Sequence, residues 1–178
     1  MKFSSEVSIK ILECAAQREK ETRDFYKECL EKATIPGTKE ILRGLVDDEE
    51  RHYTIIIELL HEAKAAGSIK KIEKSETPDA KTRIEKAFSH KLVNDTDFSI
   101  ESATINEMLK KALDNEKESF ENYLSAAHDT EKAEAKAVFE FLAKEENKHY
   151  IVIDNLISYL DNHGNWLYEE ENLIFRRG

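Results

Sequence analysis

The two halves of this sequence repeat each other, and the repeat restricts the fold more than any other feature. Shifting the chain by 97 residues lays EKETRDFY, from Glu19, on EKESFENY, from Glu116. The same shift lays LVDDEERHY, from Leu45, on LAKEENKHY, from Leu142. Each half reads as two helices, over about 5–34 and 38–66 and then about 105–128 and 131–162. Five Gly and two Pro in 178 residues are too few for the many turns of an all-β fold. Pro36-Gly37 breaks the first pair, and Thr104 with Glu107 reads as a capping box at the start of the third helix. Gly67 and Gly164 are placed to end the second and fourth helices.

Residues 67–103, between the halves, carry Pro78, polar clusters and a weak amphipathic stretch of Ile84, Phe88 and Leu92. Short turns within each pair and one long crossover between helices two and three are the wiring of an all-α, ferritin-like four-helix bundle over residues 1–164. A chain of this length builds a core without disulfide staples. The tail, 165–178, holds Trp166, Leu167, Tyr168, Leu173, Ile174 and Phe175, and is expected to pack on the bundle or on a second subunit. Gly44, inside the second helix, permits close helix contact at a cost of about 1 kcal/mol relative to Ala.

A bundle buries the residues that recur at alternating spacings of three and four. The first helix gives Leu12, Ala15, Glu19, Thr22, Tyr26, Cys29 and Ala33 along that seam; the second gives Leu42, Leu45, Glu49, His52, Ile56, Leu59 and Ala63. The third gives Leu109, Ala112, Glu116, Ser119, Tyr123 and Ala126; the fourth gives Phe139, Leu142, Glu146, His149, Ile153, Leu156 and Leu160. Each seam is interrupted at its middle by a glutamate, and the second and fourth add a histidine three residues on. Four carboxylates at one level of a dry core are intolerable alone, because each unpaired buried ion costs several kcal/mol. Two divalent cations neutralise them, since 4 × (−1) + 2 × (+2) = 0. Oxygen and imidazole ligands at open positions favour iron or manganese over a closed zinc site. One Glu from each of two helices, with Glu-x-x-His from the other two, is the ligand set of dinuclear carboxylate bundles. A third Glu-x-x-His, Glu58 with His61, lies off the seam and reads as a solvated face. His61, His90, His128 and His163 have no repeat partner and are expected at the surface.

These residues resemble the rubrerythrin branch of the ferritin-like superfamily over roughly 5–162. The resemblance implies that Glu49 and Glu146 bridge two irons, Glu19 and Glu116 are terminal ligands, and His52 and His149 bind one metal each. It also implies that Tyr26 and Tyr123 hydrogen-bond ligand carboxylates. Two departures stand out. Strict rubrerythrins carry a rubredoxin-type module with paired CxxC ligands, whereas Cys14 and Cys29 lie fifteen residues apart and suit neither such a module nor a disulfide. Strict rubrerythrins also place an additional glutamate where this chain has Ser119, and efficient peroxide reduction is associated with that residue.

The expected function is therefore a di-iron carboxylate oxidoreductase that reacts with hydrogen peroxide or dioxygen, a peroxidase fed by an external donor such as a rubredoxin-type protein. Ferroxidase or iron-handling activity, di-manganese catalase activity and a non-catalytic metal-stabilised interaction module are the competing readings. Net charge, 27 − 37 = −10, disfavours nucleic acid and anionic membranes as partners. The N-terminus lacks the apolar stretch of a signal peptide, so a cytoplasmic protein is expected. The apolar tail and long crossover suggest a homodimer.

Overall fold

The structure, a computed structural model, describes residues 5–65, 82–83, 95–130 and 133–161. Four long helices account for nearly all of them: α1 (Ser5–Lys32), α2 (Pro36–Lys64), α3 (Asp95–Asp129) and α4 (Ala133–Asp161). The chain is an all-α, ferritin-like four-helix bundle. Among the described residues, no helix is long and apolar enough to cross a membrane. Gly67, Pro78, His90, His163, Gly164, the Ile84–Phe88–Leu92 stretch and the tail 165–178 lie outside the described residues.

Helices α1 and α2 pack along their length, as do α3 and α4; α1 meets α3 and α2 meets α4 over narrower strips. The seams close into two apolar cores. One joins Tyr26, Cys29, Leu42 and Leu45 to Leu109, Ala112, Ile153 and Leu156. The other joins Leu12, Ala15, Ile56 and Leu59 to Tyr123, Ala126, Phe139 and Leu142. Residues early in α1 thus share a core with residues late in α3, so these two helices run antiparallel, as do α2 and α4. The 97-residue repeat is a pseudo-twofold axis across the bundle, and the layer between the two cores is where the axis passes.

Local chemistry sets the ends of α2. Pro36 supplies its first helical residue, where a missing N–H costs nothing, and Ile35 before it is extended (φ −71°, ψ 127°), as a residue preceding proline prefers. Pro36-Gly37 therefore starts the second helix, and the break falls at 33–35. His61 and Lys64 occupy its last turn, where positive charge complements the carbonyl ends.

Two further expectations are corrected. Helix α3 begins at Asp95 and not near 105, so Thr104 and Glu107 lie inside it and form no capping box. Neither Gly nor Pro interrupts 95–104, Asp95 and Asp97 suit a helix N-terminus, and Phe98, Ser102 and Ile105 continue the four-three spacing into Leu109. Gly44 does not serve helix–helix contact either. A Cβ there would come within 2.6 Å of the Arg83 Nη2 atom, so the missing side chain makes room for a guanidinium from the crossover. Both cysteines are free, Cys14 exposed and Cys29 buried; burial pushes the Cys29 thiol up to about 12, so it behaves as a core residue.

Candidate metal centre

Between the two cores, the bundle buries Glu19, Glu49, His52, Glu116, Glu146 and His149, each no more than 1% exposed. These are the six seam residues that break the apolar pattern, and the fold brings all six into one layer. One ligand atom each from Glu49, His52, Glu146 and His149 lies within 4.8 Å of the other three. His52 Nδ1 sits 3.1 Å from Glu146, 3.3 Å from Glu19 and 3.7 Å from Glu49. His149 Nδ1 mirrors it, 2.9 Å from Glu49, 3.6 Å from Glu116 and 4.0 Å from Glu146. The two imidazoles stack face to face, ring centres 5.3 Å apart.

Tyrosines brace the outer carboxylates across the pseudo-twofold. The Tyr26 hydroxyl donates to Glu116 and the Tyr123 hydroxyl donates to Glu19, so each helix of the α1–α3 pair holds a glutamate of the other. Burial, then the neighbouring Glu116, raises the Tyr26 hydroxyl well above its ordinary pKa, keeping it a neutral donor.

Aspartate 48, beside Glu49, was not singled out by the seam, yet it is buried and stands behind the site. Its Oδ2 lies 3.3 Å from His149 Nε2 and 2.7 Å from Arg83 Nη1, and Arg51 lies 3.2 Å from its Oδ1. Burial alone would raise this carboxyl, but His149, Arg83 and Arg51 together hold it down at about 2. An ionised carboxylate only accepts, so the proton of His149 belongs on Nε2 and the lone pair on Nδ1 faces the cluster. The repeat did carry a signal for this residue, because the 97-residue shift lays Asp48 on Glu145, another acid. Glu145 is also fully buried, bonded to Lys148 at 2.7 Å with Arg51 at 3.6 Å. An acid next to a glutamate reads as solvated face in a periodicity argument, which is why both were missed.

Donor chemistry tests whether metal fits here. Glu19 Oε2, both Glu49 oxygens, Glu116 Oε2, Glu146 Oε1 and the two Nδ1 atoms are buried and make no hydrogen bond. Buried polar atoms almost always find partners, and here the unsatisfied ones face each other, acceptor toward acceptor. Only cations or protons reconcile such a set, and without metal the layer gathers protons. Burial, then neighbouring carboxylates, raises Glu19 and Glu146 well above the usual carboxylate range. Burial also pushes Glu49 up, but His149 and His52 outweigh it and hold that carboxyl below the usual range. Burial disfavours charged His52 and His149, yet the surrounding carboxylates win and raise both. The residues present fit a dinuclear cation site.

Elsewhere the surface expectations hold where residues are described: Glu58, His61 and His128 are exposed. Ser119 is buried and accepts a 2.7 Å hydrogen bond from Arg18 Nε, while Arg18 also pairs with Glu118 at 2.8 Å. A neutral hydroxyl tied to an arginine thus occupies the place of the additional glutamate.

The family model for rubrerythrin matches residues 10–157, and the chain belongs to that family. No curated protein and no solved structure matches it.

Proposed function

We propose that this rubrerythrin-family chain is a di-iron carboxylate oxidoreductase that reduces hydrogen peroxide or dioxygen, with electrons from a rubredoxin-type donor outside these residues. The observation that carries the reading is the buried ring of seven unsatisfied donor atoms, from four glutamates and two histidines, between two apolar cores. In this reading Glu19, Glu49, Glu116 and Glu146 would hold two ions through their carboxylates, Glu49 and Glu146 in common and Glu19 and Glu116 one on each side, and His52 and His149 would give one Nδ1 apiece. Four carboxylates cancel two divalent charges. Hard oxygen donors with only two nitrogens suit iron or manganese better than zinc. Two ferrous ions held there would supply one electron each, the pair that with two protons reduces peroxide to two waters.

The protein's own part is geometric and electrostatic. Tyr26 and Tyr123 hold Glu116 and Glu19 in one orientation, so the outer carboxylates do not swing freely. Asp48 fixes which imidazole nitrogen of His149 faces the ions. The apolar cores above and below exclude water, which strengthens every charge interaction within the layer.

Anaerobic ferrous-loaded protein mixed with hydrogen peroxide, and separately with dioxygen, tests the proposal. The expected result is oxidation of two irons per peroxide consumed, no gas evolved, and re-reduction by rubredoxin. Oxygen evolution from peroxide without reductant would instead identify a catalase, and ferrous iron inert to both oxidants would sink the enzymatic reading.

A further inference from the structure

The six candidate ligands obey the pseudo-twofold, as do the buried acids Asp48 and Glu145 beside them, but the groups around those acids do not. Behind His149 stands Asp48, and behind Asp48 stands Arg83, whose guanidinium enters a notch left by Gly44. The residue that the repeat aligns with Gly44 is Phe141. Its ring is buried and meets His52 edge-on, ring centres 6.4 Å apart and planes at 83°. One imidazole is therefore backed by a charged chain of carboxylate and guanidinium, the other by a hydrocarbon edge.

We propose that Arg83 is a positioning residue of the metal centre, acting through Asp48 on His149 so that the His149 position binds its metal more tightly than the His52 position. This rests on the reading of the layer as a dinuclear site and goes beyond it by making the two positions unequal. Three observations converge on Arg83. Its side chain is only 10% exposed, although it comes from the crossover between the two helix pairs. It shares one oxygen, Asp48 Oδ2, with His149 Nε2. The helix beneath it forgoes a side chain at Gly44, a choice that costs a helix interior about 1 kcal/mol.

The guanidinium holds Asp48 Oδ2 from one side and Arg51 holds Oδ1 from the other, so the carboxylate plane has little freedom. A fixed carboxylate fixes the Nε2–H it faces, and with it the direction of the Nδ1 lone pair. Outer partners of this kind alter metal affinity about 10- to 100-fold when removed. His52 Nε2 and His149 Nε2 are both buried without a formed hydrogen bond, but His149 Nε2 faces the Asp48 carboxylate at 3.3 Å, whereas the His52 ring packs against Phe141 and His149.

The test is a stepwise Co(II) titration of the full chain, followed by the visible absorption of the bound metal. Wild type is expected to fill in two resolved steps, and His149→Ala to abolish the tighter one. Arg83→Ala should weaken that same step about tenfold and leave the other unchanged. Arg83→Lys should recover part of the loss, since an ammonium restores the charge on Asp48 but not the planar guanidinium seated at Gly44. Gly44→Ala should also weaken the tight step by displacing the guanidinium, while in the metal-free protein alanine's helical gain of about 1 kcal/mol offsets part of the lost Arg83–Asp48 pairing. The tight-step affinity separates positioning from a merely structural role, which would lower melting and leave the affinities alone. Equal affinity of the two steps in wild type, or Arg83→Ala and Gly44→Ala both leaving the tight step intact, would overturn the proposal. Folded wild type that binds no cobalt at all would overturn the dinuclear reading itself, a different result from binding two ions with Arg83 irrelevant.

Discussion

Stripped of metal, the protein should melt at progressively lower temperature as pH rises above neutral, and two equivalents of ferrous or manganous ion should abolish the trend. Glu19 and Glu146 are raised above their unfolded value, as are His52 and His149. A group that holds its proton more tightly when folded adds stability below its unfolded pKa and loses it as pH climbs through the folded pKa. All four therefore favour the acid side. Asp48, held at about 2, and Glu49, also lowered, act in the opposite sense. Their contribution is present above the unfolded carboxylate pKa and fades as pH falls toward about 2. The metal-free protein is thus most stable in mildly acidic solution. Bound cations replace the shared protons, so the alkaline decline disappears, and each tenfold excess of metal over its dissociation constant adds about 1.4 kcal/mol. Thermal melts with and without chelator between about pH 5 and 9 check this. A metal-free midpoint that rises with pH would contradict the account.

Glu146→Gln should change stability with opposite sign in the two forms. Without metal, Glu146 suffers from burial and from the charges of Glu49 and Glu116. A neutral amide of the same shape removes both penalties, and relief of one buried charge is worth on the order of 2 kcal/mol or more at alkaline pH. For a domain of this size that is roughly 4–8 °C in melting temperature. With metal, the same substitution removes a ligand from between the ions, so the loaded variant should melt below loaded wild type. Differential scanning calorimetry of both proteins in both states makes the comparison. A variant that melts lower in both forms would mean that Glu146 is an ordinary structural ion-pair partner.

The fold and the six-residue layer were legible because both follow from periodicity. Burial in a bundle depends on position along a three-four seam, and charged residues at Glu19, Glu49, His52, Glu116, Glu146 and His149 violate the rule visibly. The tyrosines at 26 and 123 sit on the same seam, one turn pair beyond a glutamate, and their hydroxyls reach the glutamate of the opposite helix. What periodicity hides is any residue one step off the seam. Asp48 and Glu145 are buried against partners from other turns and helices, Arg83, Arg51 and His149 for the first and Arg51 and Lys148 for the second, an environment that a periodicity along one helix does not reveal. Arg83 is harder still, since its contact spans 35 residues of sequence and its only trace is the otherwise costly Gly44. The start of α3 was misplaced for a simpler reason. A good capping box at Thr104 outweighed a seam that continues, without any breaker, back to Phe98. The ligand positions are symmetric to the eye of the repeat; Gly44 against Phe141 is one place beside the layer where the halves diverge.

Iron content after anaerobic loading and desalting decides whether the buried layer holds two metals, on wild type and on a Glu49→Ala/Glu146→Ala variant shown to be helical. About two irons per chain are expected in wild type, set by charge balance across four carboxylates, and their loss in the variant. Folded wild type that retains neither iron nor manganese, or a variant that retains as much as wild type, would contradict it.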